Sequence, residues 1–262
     1  IGIDVAATFS NEGELRASGG DINIQPATAF TNTGSIIANA GRLIQFTGTT
    51  LLQTAGVTIA NGEVQVDNNA FNLEGGLIIG SGRVDSNVNN TDGVVSPGNS
   101  TNDTASFSIL TIEGAFNQSE TGETLIELGG PTVGTEYDRL VVTGVVGTGG
   151  VLRIRLADGY APVLGTIYDI ITAYAVVGGY DTIVAENIPF NNQLTLSFLG
   201  DRVRVVFDIR CLGDYDGDGG VTGGDIAAFF EDFEAGAAAA DLDQDGGITG
   251  EDIAEFIDLW TY

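Results

Sequence analysis

The chain has 262 residues, 39 of them glycine, and its 36 acidic residues against nine basic ones, all arginine, give a formal net charge of −27. Without lysine or histidine it has no basic surface to neutralise phosphates, which excludes nucleic acid as a partner, and it lacks the commonest general base and metal ligand. The length accommodates two or three domains with a substantial core, and no apolar run reaches the roughly 18 residues of a membrane span.

The first hundred residues repeat. Glycines in similar surroundings stand at Gly13, Gly34, Gly56, Gly76 and Gly93, and two apolar tracks, Phe9/Phe30/Leu51/Phe71 and Ile22/Leu43/Val64/Val84, share a spacing of 20 or 21 residues. Each track is a short alternating run, which is strand patterning, and the intervals carry the Gly, Asn and Thr of turns. Three short strands per repeat predict a parallel β-solenoid over 1–100, with about 21 residues per coil and equivalent side chains stacked about 4.8 Å apart. Asn11 and Asn32, then Asn39, Asn61 and Ser81, fall at the bends, where stacked amides can hydrogen-bond from coil to coil. Before the second track the residues read Asp21, Arg42, Glu63 and Arg83, predicting a ladder of alternating charge whose exposed pairs contribute ~0.2–1 kcal/mol each.

The period fails after "GVVSPGNS", predicting a boundary near residue 100. Alternation returns in "FSILTIEGAFNQ", "TLIELGG", "YDRLVVTG", "VLRIRLADG", "YDIITAYAVV", "LTLSFLGD" and "RVRVVFDI". About seven strands between Gly, Asn and Asp turns predict an antiparallel β-sandwich-like or capping β domain over 101–209. "GVVSPGNS", "LTIEGAFNQ", "LIELGG", "EYDRLVVTG" and "LRIRLADGYAPVLGTIYDII" together resemble the terminal part of large autotransporter-like β-helix proteins of bacterial surfaces, over roughly residues 75–210. The resemblance implies a secreted or surface-displayed stalk and assigns no catalytic residue.

Residues 210–262 hold fourteen of the acids and one arginine, a density that points to bound cations. Cys211 stands alone, so no internal disulfide is possible; it reads as a small linker residue, or else as a free thiol or intermolecular bridge. "GDYDGDGGVTGGDIAAFF" returns as "ADLDQDGGITGEDIAEFI", 27 residues on. A twelve-residue calcium loop takes ligands from positions 1, 3, 5, 7, 9 and 12, with glycine at 6. Counting from Asp214 places Asp216, Asp218, Gly220 through its carbonyl, Thr222 and Asp225 at those positions, and counting from Asp241 places Asp243, Asp245, Gly247, Thr249 and Asp252, with Gly219 and Gly246 at position 6. The prediction is therefore two calcium ions. Behind each loop the pairs Ile226/Ile253, Phe229/Phe256, Phe230/Ile257 and Phe233/Trp260 form an i, i+3, i+4, i+7 stripe, an amphipathic helix face expected to be the small domain's core.

No incoming helix precedes either loop in the pattern. Such a duplicated loop-plus-exiting-helix unit, with Asp at position 12, resembles a dockerin module over about residues 212–262. The resemblance implies a cohesin-type protein partner and carries calcium ligation to the aspartates, glycines and threonines just named. Gly223–Gly224 and Gly250–Glu251 stand at positions 10 and 11, where many dockerins have a hydroxyl pair.

No Cys dyad, G-x-S-x-G elbow or phosphate loop supports an enzyme, although arginines and acids on a β-helix keep a polysaccharide-binding or lyase-like reading open. The chain starts at Ile1 without a signal peptide and reads as a mature or trimmed product, and "NNTDG" and "NSTND" are acceptor-like sequons. The fold class expected is mainly β: a parallel solenoid, a β-sandwich-like domain and a small α-helical calcium module. The function expected is a non-catalytic extracellular or cell-surface structural protein. It attaches in a calcium-dependent way, either to another copy, head to tail in a fibre, or to a cohesin-like scaffold.

Overall fold

A computed structural model describes residues 2–5, 9–26, 29–99, 105–188, 192–209, 213–216, 220–243 and 245–260. Asp218, Gly219, Cys211 and all of "NSTND" after Asn99 lie outside the described residues. The fold is mainly β with two C-terminal α-helices, and it divides into two compact units, Ile1–Pro189 with Leu194–Asp208, and Phe190–Gln193 with Ile209–Tyr262.

The larger unit is built from strands that recur in threes and pair in parallel with their counterparts in the next repeat. One column runs through Gly2–Val5, Ile22–Pro26, Leu43–Thr47, Glu63–Leu73, Arg83–Asn90, Ile109–Ile112, Arg139–Val142 and Ile167–Thr172. A second runs through Phe9–Asn11, Phe30–Asn32, Leu51–Gln53, the far half of Glu63–Leu73 and of Arg83–Asn90, then Phe116–Gln118, Val145–Thr148 and Ala175–Gly178. The third, a separate eight-stranded sheet, runs from Glu14–Ala17 through Ser35–Ala38, Val57–Ala60, Leu77–Gly80, Val94–Pro97, Glu123–Leu128 and Val151–Leu156 to Thr182–Glu186.

Parallel register places like on like. Phe9, Phe30, Leu51, Phe71, Val88, Phe116, Val146 and Val176 follow one another in the second column, and the rings of Phe9 and Phe30 stack at 5.1 Å. All three columns contribute to one buried apolar core, which is the main favourable term in folding. Amides form a second internal file: Asn11 Nδ2 donates to Asn32 Oδ1 at 2.7 Å, and Asn32 Nδ2 donates to Gln53 Oε1 at 3.0 Å. All three residues are buried, and these bonds satisfy polar groups that would otherwise be costly to bury.

Two sequence expectations change. In the other apolar track Ile44, not Leu43, lies opposite Ile22 and Val64; Ile44 is buried and Leu43 is half-exposed. The same slip takes Arg42 out of the charge ladder. Of these four residues Arg83 forms ion pairs between layers, to Glu63 at 2.6 Å and on to Glu113 at 3.1 Å, while Asp21 accepts from the Leu43 backbone N–H.

The larger correction concerns 101–209. Among the described residues its strands form no antiparallel sandwich: Ile109–Ile112 and Glu123–Leu128 pair in parallel with strands of the first hundred residues, and the next repeats continue both sheets. Among the described strands antiparallel pairing enters at the end, where Arg202–Ile209 joins Ile167–Thr172; Arg202–Ile209 also neighbours Asn192–Leu199. The strands look like a new domain in the sequence because their connections lengthen. Up to residue 82 the third strand of a repeat is followed by two to four residues, whereas 98–108, 129–138 and 157–166 are connections of ten or eleven.

One of these connections buries an acid. Asp138 is fully buried, its Oδ1 accepting from Ser108 N at 2.8 Å and its Oδ2 from Glu127 N at 3.0 Å, with the buried Glu127 carboxylate beside it. Burial pushes the Asp138 carboxyl up to about 8; the two backbone N–H groups oppose this and the Glu127 charge adds to it. In the unfolded chain the group ionises near 3.9. The folded state thus holds a proton that the unfolded state has lost, and the stability Asp138 contributes is lost as pH rises from about 4 through about 8. Urea unfolding of wild type and Asp138→Asn at intervals between pH 5 and pH 9 should show the wild type losing ground to the variant with rising pH. A pH-independent gap would refute this.

Candidate metal centre

The smaller unit is organised by two helices, α1 (Gly223–Ala235) and α2 (Gly250–Trp260), with a short 3-10 turn at Ala238–Ala240. Thr222 caps α1, its hydroxyl accepting from Gly224 N while Asp225 accepts from Thr222 N in a reciprocal capping box. Gly236 closes α1 in the left-handed conformation. Phe229 and Phe256, equivalent in the duplication, stack at 4.3 Å with an interplanar angle of 5°, and Tyr215 packs edge-on to both. Around this pair Ala240 and Leu242 are buried, and Ile226, Phe233, Ile248 and Ile253 pack half-buried. Phe230, Ile257 and Trp260, expected in the core on the same stripe, are instead exposed.

This small core holds the aspartate loops. Carboxylate oxygens of Asp214, Asp216 and Asp225 lie within 4.8 Å of one another, and so do those of Asp241, Asp243 and Asp252. The position-12 residues anchor each group. Asp225, buried, accepts from Asp216 N at 3.1 Å and Thr222 N at 2.6 Å. Asp252, also buried, accepts from Leu242 N at 2.7 Å, Asp243 N at 3.3 Å and Thr249 N at 2.7 Å. These donors, Thr222 N foremost for Asp225 and Thr249 N for Asp252, hold both carboxyls below the ordinary aspartate range against the opposing effect of desolvation.

The second loop is described almost completely. Gly246 turns at φ +88°, where a side chain would be strained, and its N–H reaches Asp241 Oδ2 at 3.1 Å. Asp245 N donates to Asp243 Oδ1, Gly247 N to Asp245 Oδ1 at 2.8 Å, and Glu251 N to the Thr249 hydroxyl. Thr249 thus stands before α2 as Thr222 stands before α1. Asp241 Oδ1 is buried and has no hydrogen-bond partner among the described residues; an oxygen so placed suits a cation. The donor set is entirely oxygen, the chemistry of hard metal ions, and the acidic groups can hold a metal ion.

Of the predicted ligands, Asp214, Asp216 and Asp225 come together in one loop and Asp241, Asp243 and Asp252 in the other. Asp245 belongs to an exposed group with Asp243 and Glu251. Glu251 is absent from the loop template, which takes nothing from position 11; its signal was the carboxylate found there in place of Gly224. Gly220 and Gly247 lie within their loops. Among the described residues no helix is long and apolar enough to cross a membrane. No protein-family model matches the chain, and no curated protein matches it.

Proposed function

We propose that this chain is a non-catalytic structural protein of the cell exterior. In this reading its larger unit is a parallel β-solenoid that serves as a spacer. Its smaller unit is a dockerin-like module that folds around two calcium ions and fastens the chain to a neighbouring subunit or a separate protein. What carries the reading is the duplication of the carboxylate groups: Asp214/Asp216/Asp225 and Asp241/Asp243/Asp252 each gather within 4.8 Å, 27 residues apart in the chain.

Calcium would be held by these residues with Asp218, Asp245, Thr222, Thr249 and the Gly220 and Gly247 carbonyls, which supply the oxygen ligands it prefers. Its chemical contribution is charge: it relieves repulsion among four aspartates per loop, so that binding is coupled to folding. Extracellular modules of this loop type bind at about 10⁻⁴–10⁻³ M, a range matched to surroundings with millimolar calcium. A place outside the cell is part of the same proposal.

Calorimetric titration of the full chain, with circular dichroism followed in parallel, tests the reading. Two calcium ions per chain and a gain of helical signal are expected. Magnesium binding with equal affinity, or calcium binding without any helical gain, would overturn it.

A further inference from the structure

The exposed apolar residues of the smaller unit are gathered, not scattered. Ile226, Phe230, Phe256, Ile257 and Trp260 line a groove of about 310 Å³ whose surface is apolar throughout. Phe256 is buried, while Phe230, Ile257 and Trp260 remain 37%, 52% and 36% exposed. The Trp260 indole is fixed there by a hydrogen bond from Nε1 to Thr222 O, so the groove is tied to the capped start of α1. Large apolar side chains clustered in this way mark an interaction site.

The two helices that line the groove are acidic. Glu231 and Asp258 directly follow Phe230 and Ile257, Glu234 stands one turn beyond Phe230, and all three are exposed. A complementary partner needs positive charge around an apolar centre, and a second copy of this chain supplies almost none. Among the described arginines, Arg16, Arg83, Arg153, Arg155, Arg202 and Arg204 are committed to ion pairs, Arg139 donates to Asp169 O and the Tyr137 hydroxyl, and only the half-buried Arg42 is left outside such pairs. Two divalent cations would still leave residues 210–262 strongly negative.

We infer that this groove docks a different protein, one that presents apolar side chains flanked by lysine or arginine. The inference rests on the calcium-folded reading of the unit and adds the partner's chemistry. The groove then binds neither another copy of the chain nor an anionic membrane.

Trp260, the only tryptophan, reports on the groove directly. The full chain in millimolar calcium would be titrated with an amphipathic helical peptide of leucine and lysine, and with its leucine–glutamate counterpart. The basic peptide is expected to shift Trp260 emission to the blue and saturate. Its affinity should fall roughly tenfold as salt rises from about 50 to about 300 mM, and by about tenfold or more in Phe230→Asp and Ile257→Asp, whose helical signal and calcium binding are retained. The acidic peptide is expected to leave the emission unchanged. Equal binding of both peptides, no binding of either by calcium-loaded protein, a blue shift on phosphatidylcholine vesicles, or calcium-dependent dimers lost in Ile257→Asp would each overturn the inference. Failure of calcium to fold the unit would instead refute the reading beneath it.

Discussion

Replacing Asp225 and Asp252 together by alanine is expected to leave the smaller unit unfolded at any calcium concentration. Each carboxylate is buried and gathers backbone N–H groups from separate stretches of its loop: Asp216 and Thr222 for Asp225; Leu242, Asp243 and Thr249 for Asp252. Truncation strands these donors at about 1–3 kcal/mol each, and removing Asp225 also breaks the capping box of α1, worth ~1 kcal/mol. The sum is several kcal/mol, set against a unit of 58 residues whose own stability is small. Asparagine at both positions retains one acceptor oxygen and loses the charge. That pair should keep more helical structure than the alanine pair and yet bind calcium far more weakly. Helical ellipticity and Trp260 emission across a calcium titration distinguish the cases. An alanine pair that folds with calcium as the wild type does would remove the position-12 aspartates from both roles.

The largest effect expected in the larger unit comes from Gly56→Val. Gly56 has φ +72°, and a Cβ placed on it would lie 2.0 Å from the Gly34 carbonyl oxygen and 2.6 Å from that of Thr33. The Gly34 oxygen cannot retreat, because it accepts from Val57 N at 2.9 Å, as Gly56 O accepts from Leu77 N at 3.0 Å. A side chain here has to push adjacent layers apart and break the ladder between them, which places the cost beyond ~4 kcal/mol. Gly159→Ala is the control: φ is +75° but nothing lies within 4 Å of a new Cβ, so only the left-handed backbone cost of about 1–2 kcal/mol remains. Urea midpoints or soluble yield would show the contrast, with Gly56→Ala as the milder form if the valine variant cannot be recovered. Equal losses at Gly56 and Gly159 would refute the steric account.

How much of this was legible in the sequence depended on constancy of spacing. The Phe9/Phe30/Leu51/Phe71 track and the glycine file are readable because connections of two to four residues keep the period near 21. After Pro97 the connections of ten or eleven residues stretch the register offset to 28–31, as in Phe116 opposite Val146 and Val151 opposite Thr182. A single-period search sees there only unrelated alternating strands, which antiparallel domains also contain. Leu43 and Ile44 are adjacent and both aliphatic, so nothing in composition says which faces inward; the pairing with Val64 decides it. The aspartate clusters were legible because their carboxylates recur at fixed offsets within twelve residues. Phe230, Ile257 and Trp260 were not, because an apolar stripe wider than about 100° looks the same whether the fold covers all of it or leaves some of it for a partner.

The glycine carbonyl file also bears on how such a chain can change over generations. Gly34 O, Gly56 O and Gly76 O each receive the N–H of the residue that follows the next glycine of the file, so each repeat presents the edge it also requires. Unequal recombination that adds or drops one unit of about 21 residues would join matching edges, because neighbouring repeats interact chiefly with each other. Each parallel sheet would then gain one strand, about 4.8 Å of sheet width, while the aspartate loops and the apolar groove later in the chain pass unaltered from one variant to the next.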